Sequence, residues 1–175
     1  RGGQVKMSRI KIIIVSLLAL TIVFLYSSIY IVEEQEQAVV FQFGDPVNIS
    51  KNPGLYFKMP FIQNVMKFEK RILEWDGDPT VIPMSGDMFI SVDAFARWII
   101  LDPEKFYKSV MSEAGAQSRL DDIINGVVKD KVPLSNLKNL VSNNSNVGRL
   151  AVTKEILDEV RKTLSNKDMG IQVRD

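Results

Sequence analysis

A serine beside a lysine is the simplest arrangement from which this chain could build a nucleophile. Its 175 residues include neither histidine nor cysteine. Imidazole bases, cysteine nucleophiles, redox pairs and Cys/His zinc sites are therefore excluded, and a Ser/Lys dyad is the serine chemistry left. Candidates such as Ser109 with Lys108, or Ser50 with Lys51, are neighbours in sequence and sit in ordinary polar contexts. Neither is set in the glycines of a nucleophile elbow. The acid pairs read more simply still: Asp121-Asp122 as a helix first turn that favours negative charge, and Glu33-Glu34 as a solvated collar beside an apolar run. Gly44 and Gly54 read as turn glycines, since no Lys-Ser/Thr follows either at the spacing of a phosphate-binding loop. The residues thus point away from an enzyme, and no metal or cofactor is expected.

Charge and apolarity are more informative. Positions 1–32 hold Arg1, Lys6, Arg9 and Lys11 and no acid, whereas all 21 acidic residues lie from Glu33 onward. Of the 22 basic residues, 18 remain in that later part, which therefore carries a net charge of −3. A mildly acidic body offers no basic face to nucleic acid. With 46% hydrophobic and 25% charged residues the chain can bury a core.

Residues 12–32, IIIVSLLALTIVFLYSSIYIV, contain no charge. At about 1.5 Å per residue a helix of this length crosses a hydrocarbon layer of roughly 30 Å. The run is too long for a secretory signal and lacks a small-residue cleavage site, so it reads as an uncleaved transmembrane anchor with Tyr26 and Tyr30 at its interfacial end. Basic residues before it and Glu33, Glu34 and Glu36 after it place the N-terminus in the cytoplasm. The organisation read from the chain is a short cytoplasmic tail (1–11), an anchor (12–32) and one body (33–175). For a bacterial inner-membrane protein that body is periplasmic.

The body begins as strands. Residues 37–43 are rich in β-formers and stop at the turn cluster Gly44-Asp45-Pro46. After Pro53-Gly54 the apolar residues Leu55, Phe57, Met59 and Phe61 recur every second position. Residues 65–75 alternate, with Met66, Phe68 and Ile72 on one side, and residues 76–79 end that strand. In residues 88–100 the series Met88, Ile90, Val92, Ala94, Ala96, Trp98 and Ile100 predicts a half-buried strand after the turn Ser85-Gly86-Asp87. The period then becomes helical. Asp102 caps and Pro103 opens a helix carrying Phe106, Tyr107, Val110 and Met111. Ser118 and Asp121 form a near capping box before the stripe Leu120, Ile123, Ile124, Val127 and Val128, which ends before Pro133. A short helix after Ser135, a polar loop over 142–146, and a helix bearing Val147, Leu150, Ile156, Leu157, Val160 and Leu164 follow. Gly170 closes that helix, and residues 171–173 look like the opening of an unfinished strand. Strands first and helices second make the class α+β.

In this order the segments EEQEQAVVFQFGDPV, NPGLYFKMPFIQNV, FEKRILEWDGDP, DMFISVDAFARWIILDPEKFYKSV and AQSRLDDIIN resemble the stomatin/prohibitin/flotillin/HflK/C (SPFH, band 7) family from residue 32 to the last, most closely its HflC-like members. The short tail before the anchor is also similar to those members, HflK-like tails usually being long and rich in glycine and proline. The resemblance implies an antiparallel sheet followed by packed helices behind the anchor. It implies a non-enzymatic membrane scaffold that, with an HflK-like subunit, forms a hetero-oligomeric ring enclosing the membrane-bound ATP-dependent protease FtsH and limiting which membrane substrates reach it. The chain stops at Asp175, ahead of the long heptad-rich helix by which family members assemble. A stomatin- or prohibitin-type microdomain scaffold without a protease partner is the alternative, set apart by its usually cytoplasmic body.

The greasy segment after Gly54 stays open between two readings. It can be a core face of the sheet. It can also lie against the bilayer, since it comes soon after the anchor, with Phe57, Met59, Phe61 and Ile62 as contacts in the outer-leaflet interface.

Overall fold

The structure, a computed structural model, describes residues 3–84, 87–135 and 146–175. The chain divides into two compact units, residues 1–67 and 68–175.

The first unit opens with helix α1 (Gly3–Ser27), whose stretch Ile10–Ser27 is long and apolar enough to cross a bilayer. Thr21, one of the polar residues in that stretch, returns its hydroxyl to Leu17 O at 2.9 Å. The helix ends at Ser27, short of Val32. Residues Ile29–Val32 form strand β1 instead, antiparallel to β4 (Gly54–Phe57). The cause is legible in side chains: Tyr30 and Val32 are buried with Ala38 and Val40, against half-buried Tyr56 and Val65. Burying such a side chain contributes roughly 1.5–3 kcal/mol, which an exposed helical turn would forgo. Tyr30 is accordingly no interfacial aromatic. Its ring stacks on Tyr56 at 5.6 Å and its hydroxyl meets Ser50 Oγ at 3.1 Å.

A three-stranded sheet in the order β3-β2-β5 completes this unit, from β2 (Glu36–Gln42), β3 (Asp45–Ser50) and β5 (Gln63–Glu69), whose last two residues belong to the second unit. Asp45 and Pro46, expected in a turn, instead begin β3. The turn is the two residues Phe43 and Gly44, and Pro46 is accommodated opposite Phe41 where the register shifts after Val40.

In the second unit β9 (Phe95–Ile100) is flanked by β6 (Leu73–Asp76) and β10 (Ile171–Val173), both antiparallel to it. The strand expected over residues 65–75 is broken between Glu69 and Leu73, which leaves Phe68 buried but Ile72 exposed. The long series from Met88 is likewise two strands, β8 (Met88–Val92) and β9, separated at Asp93-Ala94. Strand β7 (Thr80–Met84) pairs with β8 as a hairpin, and of the expected turn between them Ser85 and Gly86 lie outside the described residues. The opening expected at residues 171–173 is a paired strand, with Ile171 opposite Ile100 and Val173 opposite Trp98.

Helix α2 (Pro103–Val110) starts as expected: Asp102 Oδ1 accepts from Glu104 N at 3.1 Å and Lys105 N at 3.2 Å. Helix α3 (Glu113–Lys131) is capped by Ser112, whose Oγ accepts from Gly115 N, so Ser118 lies inside it rather than at its start. Leu120, Ile123, Ile124 and Val128 form its buried stripe. A 3₁₀ turn, Val132–Leu134, follows. The short helix expected after Ser135 and most of the polar loop lie outside the described residues, and Asn146 is the first residue of α4 (Asn146–Asn166). Val160 and Leu164 are buried, whereas Leu150 is exposed. Trp98 and Phe106 stack at 6.3 Å, and Phe68 meets Phe106 edge-on at 5.4 Å. Gly170, at φ 67°, accepts from Leu101 N and Asp102 N, and a Cβ there would lie 2.4 Å from Asp102 O. Glycine is therefore required where the chain turns into β10.

Candidate functional site

The surface that the sequence nominates is built at the end of α1. A single residue, Ser28, joins helix to strand, and all its polar groups are used. Its N–H donates to Leu25 O at 3.2 Å, its carbonyl accepts from Lys58 N at 2.7 Å, and its hydroxyl donates to Lys58 O at 2.7 Å. The β1–β4 ribbon therefore starts at the helix terminus.

Residues directly opposite one another in an antiparallel pair share a face. The register sets Ile29 against Phe57 and Ile31 against Leu55, and all four are exposed, Phe57 to 70%. The alternate residues, Tyr30, Val32 and Tyr56, make up the core side. One face of the ribbon is thus polar-free and uncovered among the described residues, so the reading of Leu55 and Phe57 as sheet core is corrected. Ile29 and Ile31 were hidden in the sequence by their continuity with the apolar helix; the β-branched, aromatic run Ile-Tyr-Ile-Val is the signal that could have separated them.

The alternation itself ends at Phe57. Met59 is outside the strand and residues 60–62 form a turn, so Met59 and Phe61 do not extend the ribbon face. Gln63 fastens this turn: its backbone N–H donates to Met59 O at 3.0 Å, its Oε1 accepts from Met59 N at 2.8 Å, and its Nε2 donates to Gln42 Oε1 at 3.0 Å. The turn holds out Phe61, 93% exposed at φ 70°, with Met59 and Ile62 exposed beside it. Phe57, Met59, Phe61 and Ile62 are all solvent-facing, and the core reading fails for each of them.

The groups with catalytic potential are spent on structure. Ser109 Oγ donates to Phe106 O at 3.1 Å and Met169 O at 3.3 Å, while Lys108 pairs with Glu104 at 2.7 Å. Ser50 is buried against Tyr30. Asp121, inside α3 and not in its first turn, accepts from the indole N–H of buried Trp75 at 2.7 Å. No group of three acids is placed to hold a metal ion among the described residues. The clearest perturbed carboxyls lie elsewhere. Arg97 hydrogen bonds to Asp175 and holds that carboxyl below its ordinary value, and Arg71 does the same to Glu69.

The described surface is therefore an apolar ledge continuous with a helix of spanning length. Protein HflC of Treponema pallidum is 37% identical over 119 residues, covering 68% of this chain and 36% of that protein. Protein HflC of Borreliella burgdorferi is 36% identical over 151 residues, 83% of this chain and 46% of its own. Modulator of FtsH protease HflC of Escherichia coli K12 is 26% identical over 172 residues, 91% and 48% respectively. The chain spans less than half the length of these relatives. The SPFH domain / Band 7 family matches residues 30–175, beginning at the buried Tyr30 of β1, and the chain belongs to that family.

Proposed function

We propose that this chain is the membrane-proximal part of a non-enzymatic scaffold which, with an HflK-like partner, encloses an FtsH-like protease and regulates its access to membrane substrates. The observation that carries the reading is the hingeless passage from a bilayer-length helix into the ribbon, in a chain whose Escherichia coli relative is named a modulator of FtsH protease. In this reading residues 1–11 are a cytoplasmic tail and the anchor runs from residue 12 to the end of α1. The body over 33–175 lies in the periplasm of a bacterial inner membrane. Phe57, Met59, Phe61 and Ile62 rest in the outer-leaflet interface, and longer chains of the family assemble as a hetero-oligomeric ring. The basic flank before the helix and the acidic one after it support this orientation.

Affinity capture of the natural full-length protein from native membranes, read by mass spectrometry, tests the partner. An FtsH-like protease and an HflK-like chain are expected together. Recovery of neither would move the reading to a stomatin- or prohibitin-type microdomain scaffold. A reporter active only in an oxidising compartment, fused after Asp175, should be active.

A further inference from the structure

Two phenylalanines of the first unit share an unusual combination. Phe43 is 85% exposed at φ 54°, and Phe61 is 93% exposed at φ 70°. The left-handed region is costly for an L side chain and is normally filled at such turns by Gly, Asn or Asp. Phe43 and Gly44, at φ 98°, make the two-residue tip of the β2–β3 hairpin with both φ values positive. A large apolar ring held at positive φ and left largely exposed gains little from packing on its own chain, so its surface is open to a partner outside it.

The segments that carry the two rings are linked to each other by hydrogen bonds. Lys58 is bonded to Ser28, so residues 57–63 begin at the helix terminus. The hydrogen bond from Gln63 Nε2 to Gln42 Oε1, 3.0 Å, brings the last residue of β2 to that same end, and the Phe43-Gly44 tip follows it directly. We propose that Phe43 is a second membrane-interface contact, remote in sequence from Phe61 and coupled to it through Gln42 and Gln63, so that the unit meets the bilayer at two points beside the helix. The inference rests on the reading above, in which α1 spans the membrane and Phe61 reaches the interface. A bilayer is the occupant because the 57–63 segment is hydrogen-bonded through Lys58 to Ser28, the residue that follows the spanning helix. The segments concerned, residues 42–47 and 57–63, contain one acid and one base, Asp45 and Lys58, so they carry no net charge to select a charged protein partner or to require anionic lipid.

The absence of cysteine from the chain allows single-site labelling. The full chain carrying Phe43→Cys, Phe61→Cys or Glu34→Cys, each labelled with nitrobenzoxadiazole, is reconstituted in phosphatidylcholine vesicles. Glu34, in the turn at the far end of β1, is the aqueous reference. Expected are a blue-shifted emission at 43 and at 61 relative to 34, and quenching of both by doxyl-labelled lipid. A lipid signal at 61 with an aqueous one at 43 overturns the second contact and leaves the earlier reading standing. Aqueous signals at both overturn the two together, and a lipid signal at 43 alone overturns the coupled pair. Asp45→Cys supplies a second label beside the tip should Phe43→Cys fail to fold, and an aqueous signal there counts equally against the proposal.

Discussion

Two runs of alternating apolar residues look alike as sequence and end in opposite surroundings. Ala96, Trp98 and Ile100 of β9 are buried, Trp98 completely, whereas Leu55 and Phe57 of β4 are exposed, as are Met59 and Phe61 beyond it. Leu55 and Phe57 lie in a strand as the β9 residues do, so strand geometry does not separate them. What separates them is cover. Strand β9 has a partner on each edge and Phe106 of α2 stacked on Trp98. The β1–β4 ribbon is two-stranded, and the residues of the first unit that pack on it take the Tyr30 and Val32 side. Alternation therefore establishes that a strand has an apolar face; the elements that follow determine whether the chain itself covers it.

The sharpest way to break this contrast is to empty the covered side. Trp98→Ala should cost about 3–5 kcal/mol, as truncations of large buried aromatics do, measured by urea denaturation of the detergent-solubilised chain. Because both tryptophans, Trp75 and Trp98, lie in the second unit, the fluorescence of Trp75 reports on that unit directly. A cost under about 1 kcal/mol would contradict the burial on which the comparison stands.

Loosening the cover rather than the covered residue should have an intermediate effect. Asp102→Ala removes the cap of the helix that carries Phe106 and should cost about 1 kcal/mol, with Asp102→Asn largely restoring the loss. An unchanged denaturation midpoint for Asp102→Ala would show that α2 is held by packing alone.

A smaller effect concerns the edge strand beside β9. Arg97 Nε donates to Asp175 Oδ1 at 2.8 Å, and Arg97 N to Asp175 O at 2.8 Å. The Asp175 carboxyl is held below its ordinary value by that hydrogen bond first and by charge second. A depressed carboxyl contributes stability that is complete above its unfolded value and is lost as pH falls through the lower folded value. Both groups are exposed, so the gain is small and salt-sensitive. The wild-type chain should lose slightly more stability than Asp175→Asn on acidification through the aspartate range. Parallel acid titrations of the two proteins would refute the assignment.

The smallest expected change is the most diagnostic for the uncovered side. Phe61→Asp should alter stability by less than about 0.5 kcal/mol, as substitutions of exposed residues do, with far-UV circular dichroism as the measure. A loss of several kcal/mol would mean that the ring is covered after all.

Much of the covered side is legible in the sequence alone. The Asp102-Pro103 helix start, the Ala96, Trp98 and Ile100 face and the α3 stripe follow from period and capping chemistry, because those signals are local. The ledge was legible in part. Phe57, Met59, Phe61 and Ile62 stood out as apolar, but Ile29 and Ile31 merged with the helix, since hydropathy cannot mark where an apolar helix becomes an apolar strand. Strand β3 was missed because Asp45 and Pro46 are good turn residues, and the shift of register that admits Pro46 depends on its partner strand. Ser118 drew the capping assignment away from Ser112 because both precede helical residues, and only the backbone decides which one is extended.

Ser28 has a mechanical consequence. Its three engaged groups leave no slack between the last turn of α1 and the first residue of β1. A helix that leans to fit a thinner bilayer rotates about its own end, and at this junction that rotation is not absorbed by a flexible linker. With α1 spanning the membrane as proposed, the ribbon would turn with the helix like the short arm of a lever, and the thickness of the surrounding lipid would be transmitted to the orientation of the first strands that follow it.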